Sequence, residues 1–220
     1  MGGQVFMRKP SLLIALIAAA LLAILTACSG TPPDTATAKK EPEKPVSVTG
    51  QSALYRMYQM ARSWSSDAQV LRLASLHINE APDGPPGAAA AWQATFTSAS
   101  KGRSRGYTFS IVESEGNLHK GPFAGPEQSW SGPSGVTTPF LILAVKVDTD
   151  AAYKTAMTTP ESKAAAYDKK NPGKPITLLL EKNNKFPDPA WRIIWGESVS
   201  MSNFSVFIDA STGTYLETMR

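Results

Sequence analysis

The chain has 220 residues and a single cysteine, is 42% hydrophobic and 18% charged, and carries a formal net charge of +4. Two of those charges, Arg8 and Lys9, sit in the N-terminal segment; the balance left is too small for strong attraction to phosphate backbones, which argues against nucleic acid as a partner. One cysteine allows no internal disulfide, so the fold must stand on its hydrophobic core.

The N-terminus reads as an export signal. "MGGQVFMRKP" is basic and lacks acids, and the apolar run "SLLIALIAAALLAIL" that follows is too short for a comfortable bilayer span of about 20 residues. It ends in Leu25-Thr26-Ala27-Cys28, which resembles the bacterial lipobox. There, signal peptidase II cuts before a cysteine whose sulfur carries diacylglycerol. The expectation is a signal peptide over residues 1–27, cleavage between Ala27 and Cys28, and a diacylglycerol and N-acyl lipid on Cys28 that anchors the protein to the membrane. No other cofactor is expected. An ordinary signal with a chance cysteine at the cut is the alternative. Ser29, rather than Asp, follows the cysteine, compatible with the periplasmic face of the outer membrane if the host has two membranes.

Residues 28–50 hold four prolines among Lys, Glu, Thr and Ser and lack aromatic residues, a composition that cannot offset its ordering entropy; a flexible tether is expected. A second break, "GPFAGPEQSWSGPSG" (121–135), has seven Gly or Pro in fifteen residues and reads as a linker. The breaks leave two blocks, 51–135 and 136–220.

In the first block, "SALYRMYQMARSW" spaces Leu54, Met57, Tyr58 and Ala61 as one helical face. "QVLRLASLHI" (69–78) reads as a strand. "AWQATFT" and "YTFSIV" alternate apolar and polar residues as strands with one wet face do. The basic "KGRSRG" (101–106) between them reads as a solvated hairpin loop. In the second block, Asp148 or Thr149 caps a helix over 147–157, Pro160 breaks it, and "ESKAAAYDKK" resumes it up to Asn171-Pro172-Gly173. "PITLLLEK", "AWRIIWG" and "FSVFID" are the strands that follow. Both blocks run helix, strand, strand, strand, and each contains one Ala-Trp. Aligning turn glycines Gly116 and Gly213 sets Tyr107 against Phe204 and Ile111 against Ile208.

"PAWRIIW" followed by "FSVFIDASTGTYLE" resembles the closing hairpin of a PepSY domain, and "DTDAAYKTA" is similar to that family's helix start. The resemblance covers about 147–217, with 51–120 a weaker copy carrying "ESEGN" where the second block has Asp-Ala-Ser-Thr-Gly. It implies an α+β architecture of two tandem units, each a helix on a three-stranded antiparallel sheet. It also implies an exported module that binds or restrains a protein partner such as a peptidase. Asp209 and Gly213 are then structural: the carboxylate accepts from the turn's N–H groups, and glycine takes positive φ at no steric cost.

Chemistry is thinly supplied. The two histidines, His77 and His119, show no zinc spacing, and no Gly-x-Ser-x-Gly or phosphate loop occurs. A metal is not expected, and catalytic residues are assigned to none. Binding is better supported. "AWRIIW" is apolar on both sides, so its second face needs a cover, either the other unit or a protein partner. Arg192, Ile194 and Phe207 mark that surface, and Trp130, isolated in the linker, is a further candidate anchor. The leading expectation is a lipid-anchored, non-enzymatic envelope module; a structural or assembly scaffold is the second, and an unrecognised hydrolase the third.

Overall fold

In the computed structural model, the described residues are Gly2 and 45–220 without 83, 117 and 134–136. Cys28 and the signal segment lie outside them, as does most of the expected tether. Lys44–Arg220 forms one compact unit.

An α+β fold results, with helices on one face of a large antiparallel sheet. Helix α1 (Gly50–Trp64) buries Ala53, Leu54, Met57 and Ala61, the face its spacing predicts. Helix α2 is Thr149–Thr158 and the short α3 is Ala164–Lys170, separated by a 3₁₀ turn that starts at Pro160. The strands are β1 (Val48–Thr49), β2 (Gln69–Leu76), β3 (Ala88–Ala89), β4 (Ala91–Ser98), β5 (Arg103–Ser110), β6 (Gly121–Ser129), β7 (Thr137–Thr138), β8 (Ile176–Asn183), β9 (Ala190–Trp195), β10 (Ser205–Asp209) and β11 (Tyr215–Met219). β1 pairs with β3. The others form a nine-stranded sheet in the order β11-β10-β9-β8-β2-β4-β5-β6, with β7 paired to β8 beside this path. Each half of the chain is therefore a meander, and the halves join edge to edge where β2 meets β8, with Leu73 opposite Leu180 and Arg72 opposite Glu181.

Four expectations change. Gly121–Ser129, read as linker, is an edge strand paired along β5. Its prolines are tolerated because an edge strand needs only one row of hydrogen bonds, and because a bulge opposite Arg105–Tyr107 absorbs an extra residue near Gly125-Pro126. Tyr215–Met219 likewise adds a strand, so each half has four long strands rather than three. The basic cluster is only partly a loop: Arg103 and Arg105 belong to β5, and Arg105 Nε donates to Gly125 O at 2.7 Å. The second face of β9 is not covered by the first half either, since that half extends the sheet sideways.

The helix-covered face holds the core. Trp92, Trp191 and Trp195 are each 0% exposed. Trp92 Nε1 donates to Val48 O (3.1 Å) and Trp191 Nε1 to Val147 O (2.8 Å), so each indole ties the second strand of its meander to the segment leading into a helix. Burying an indole while satisfying its N–H is what makes tryptophan tolerable at such depth. Trp195 packs edge-on against Phe204 at 5.3 Å, and its Nε1 donates to Asp168 Oδ1 on α3 (2.9 Å).

The two main helices begin against each other. Thr49, the N-cap of α1, makes no side-chain cap bond. Instead Gly50 N donates to Thr149 Oγ1 (2.8 Å) and Gln51 N to Asp148 Oδ1 (2.9 Å), while the same Asp148 oxygen accepts from Thr149 N (2.7 Å). One carboxylate thus serves the first turns of two helices, meeting orphan donors and two positive dipole ends at once. Thr149 Oγ1 in turn donates to Gly87 O.

Gly50 is small by necessity. A Cβ there would stand 2.7 Å from Thr149 Cγ2, 2.7 Å from the Trp191 ring and 3.0 Å from the Trp92 ring. Helix propensity favours alanine over glycine, but packing decides the sign here. Gly50→Ala is expected to destabilise the fold by about 1–3 kcal/mol in urea denaturation. Gly106→Ala, with nothing within 4 Å of the added carbon, is expected to change stability by less than about 0.5 kcal/mol.

Candidate functional site

Strands β8, β9 and β10 carry apolar side chains on the helix-free face as well. Ile194 is 0% exposed and Leu179 2%. Their cover comes from the chain itself: after β9, Gly196 takes a φ of +154° and the 197–201 segment folds back. A cavity of about 510 Å³ remains between this segment and the sheet, lined among others by Arg72, Gln93, Thr177, Leu179, Ile194 and Glu197. Arg72 and Gln93 come from β2 and β4. The cavity therefore straddles the β2–β8 seam, with an apolar floor and a polar rim.

Next to it, Arg192 is half-buried. Its Nε donates to Ser205 Oγ (3.0 Å) and its guanidinium lies 5.1 Å from the Phe207 ring centroid. Phe186 closes on Phe207 from the other side at 5.4 Å. Burial lowers the Arg192 pKa and the Glu181 carboxylate opposes that shift; an arginine remains charged through any such change. Phe207 is 4% exposed, so Arg192 forms its lid. The structure thus brings Arg192, Ile194 and Phe207 onto one face, with Ile194 sealed beneath the surface. Trp130 is elsewhere, half-buried just past β6, its N–H donating to Gly102 O (3.0 Å).

Asp209 and Gly213 form the turn between β10 and β11. Asp209 Oδ1 accepts from Ser211 N (2.7 Å), Ser211 Oγ (2.7 Å) and Thr212 N (3.0 Å), and Gly213, at φ +79°, donates its N–H to Asp209 O. Ala210 O then accepts from Lys146 N and Val147 N, fastening the turn to the chain that leads into α2. Burial works to raise the Asp209 pKa, but the bonds from Ser211 and Thr212 outweigh it, and the carboxyl titrates below its ordinary value.

The two histidines lie in different surroundings. Thr177 gives its only hydroxyl proton to Gly196 O (2.7 Å). The 3.1 Å contact between His77 Nε2 and Thr177 Oγ1 must then use a proton on Nε2, which assigns the tautomer. That nitrogen is a donor toward Thr177, so the pair is not a base and an activated nucleophile. His119 lies tilted against Phe123 with ring centroids 4.4 Å apart and faces Glu113 at 3.3 Å, at the surface. Among the described residues no three His, Cys, Asp or Glu gather as a metal site, and no helix is long and apolar enough to cross a membrane.

Sequence reasoning found β9 and β10 as the strands carrying the surface. It missed the opposite wall, Arg72 and Gln93, because the β2–β8 pairing joins residues about a hundred positions apart and leaves no local pattern.

No family model matches the chain, and no curated protein matches it. Among solved structures it is similar to one described as a "putative lipoprotein" from Clostridium difficile 630, at 9% identity and a TM-score of 0.44, over 80% of this chain and 95% of that one.

The Asp209 turn carries a pH test. Its folded pKa is depressed, so its contribution is fully present above the unfolded value near pH 4 and is lost as pH falls through the folded value. Asp209→Asn is expected to cost about 1–2 kcal/mol at pH 7. The gap to the wild type should close progressively below about pH 4; denaturation curves across that range check it.

Proposed function

We propose that this chain is a lipid-anchored protein of the cell envelope whose work is non-enzymatic binding of an exported protein, a peptidase being the partner class its PepSY resemblance suggests. The observation that carries the binding reading is the cavity at the β2–β8 seam. It has an apolar floor, a rim of opposite charges at Arg72 and Glu197, and walls from both halves of the chain. A concavity with an apolar floor and polar groups placed at its rim is the form of a recognition site.

In this reading the protein comprises two PepSY-like units related by a shift of 99 residues. Support comes from recurring bonds. Trp92 to Val48 and Trp191 to Val147 each span 44 residues. Ile111 N donates to Ala90 O, and Ala210 N to Pro189 O. Ala91 faces Ser110, and Ala190 faces Asp209. Every second member of these sets follows its counterpart by the same distance. The alignment on turn glycines is therefore two residues out: Tyr107 corresponds to Val206 and Ile111 to Ala210. Ser110 Oγ, bonded to Val112 at both its O and its N, stands where Asp209 stands in the second unit.

The anchor rests on Cys28 and the lipobox-like residues before it. Labelled palmitate should enter the wild-type protein and fail to enter Cys28→Ala; equal labelling would remove the anchor from the proposal. For the binding reading, the full chain is crosslinked in envelope membranes beside Gln93→Arg, which places a large cation at the cavity rim. The expected result is a partner captured by the wild type and lost from the variant. Capture of the same proteins by both would refute the cavity as the binding surface. A change in the captured partner's activity would mark a regulator, and an unchanged one a scaffold.

A further inference from the structure

A second concavity, remote in chemistry from the seam cavity, lies where α3 meets the bend before β10. It encloses about 470 Å³ and is lined by Lys163, Ala166, Tyr167, Lys170, Asn203, Phe204 and Arg220. Its floor is an aromatic pair: the Tyr167 ring lies flat on Phe204, with centroids 4.1 Å apart and planes 6° from parallel. Lys174 Nζ donates to Tyr167 OH (2.9 Å), and that hydroxyl donates to Asn203 Oδ1 (2.7 Å). The Arg220 guanidinium stands 6.0 Å from the Phe204 centroid.

Three basic residues, Lys163, Lys170 and Arg220, thus line the groove, a fourth, Lys174, bonds the Tyr167 hydroxyl, and no carboxylate side chain is among the lining residues. The acid of α3, Asp168, accepts from Trp195 Nε1 (2.9 Å). Gathering like charges is unfavourable unless an anion relieves it. Lys163 is, moreover, the only non-glycine among the described residues with a positive φ, at 60°. A lysine in the left-handed region is strained, where glycine or asparagine would sit more easily.

The groove exceeds what a simple inorganic ion fills, and most of its surface is carbon. Its cations select an anion with several oxygens, the half-buried Tyr167 and the exposed Ala166 offer carbon surface to a small ring or chain, and Asn203 offers hydrogen bonds to hydroxyls. We infer that this groove binds a phosphate ester of a small polyol, the phosphate between Lys163, Lys170 and Arg220 and the carbon body against Tyr167 and Ala166. The same chemistry occurs in soluble sugar and glycerol phosphates and in phospholipid headgroups. The inference does not depend on the protein-partner reading.

The test is calorimetric titration of the purified full chain with glycerol 3-phosphate and, separately, with dihexanoyl phosphatidylglycerol below its micellar concentration. Dihexanoyl phosphatidylcholine is the zwitterionic control. The variant is Lys163→Asn with Lys170→Gln, both exposed, the asparagine chosen because it tolerates the left-handed backbone. Saturable binding that weakens with salt and falls by about tenfold or more in the variant, at a melting temperature no lower than the wild type's, is expected. Binding of both anionic ligands identifies a site for free esters; binding of the lipid alone identifies a headgroup site. No saturable heat with either anion, equal affinity in the variant, or equal affinity for phosphatidylcholine overturns the inference.

Discussion

The carboxylate of Asp148 is the constraint around which this architecture is arranged. A helix N-terminus exposes unsatisfied N–H groups and a partial positive charge, and two of them brought together repel. Here α1 and α2 start within hydrogen-bonding distance of one another, and a single Asp148 oxygen accepts from both Gln51 and Thr149. Thr149 completes the junction by accepting from Gly50 and donating to Gly87. With the helix starts fixed, the indoles of Trp92 and Trp191 can close over Gly50 from the two halves of the sheet, and only hydrogen fits between them. The junction, the two indoles and the β2–β8 pairing are one packing solution, so a change at any of the three is felt at the others.

The same arrangement creates the seam cavity. Because the halves join edge to edge, their helix-free faces form one continuous surface, on which polar Gln93 and Thr95 of the first half adjoin apolar Leu179 and Ile194 of the second. The 197–201 segment covers the apolar part incompletely, and the gap between it and the sheet is the cavity, while Arg192 covers Phe207 beside it.

Much of the local structure was legible because its periodicity is strong. Leu54, Met57 and Ala61 announce α1, and the alternation through Trp92, Ala94 and Phe96 announces β4. Asp148 was readable as a cap for α2. That it also caps α1 was not, since the carboxylate lies almost a hundred residues from that helix. β6 was hidden for a different reason: an edge strand with Pro122, a bulge and mostly exposed side chains keeps no alternation, and its composition is that of a loop. For the candidate surface, sequence identified Ile194 as an apolar residue on a second face. Only the backbone path after Gly196 shows that the chain buries it, as part of the cavity floor with Leu179, opposite the first-half residues.

The central β2–β8 pairing also shapes how the chain reaches this structure. Every other long pair in the sheet joins neighbouring strands of one meander, which can zip as soon as both strands exist. β2 must instead wait for Ile176–Asn183, roughly half the chain later, and until then its outer edge offers unpaired backbone groups to any passing strand. Contacts of such sequence separation form late because the intervening chain must first surrender its freedom. The last event in assembly is thus the mating of two preformed sheets along one short line of hydrogen bonds, and the hazard peculiar to this topology is that two nascent copies mate with each other through β2 before their own second halves arrive.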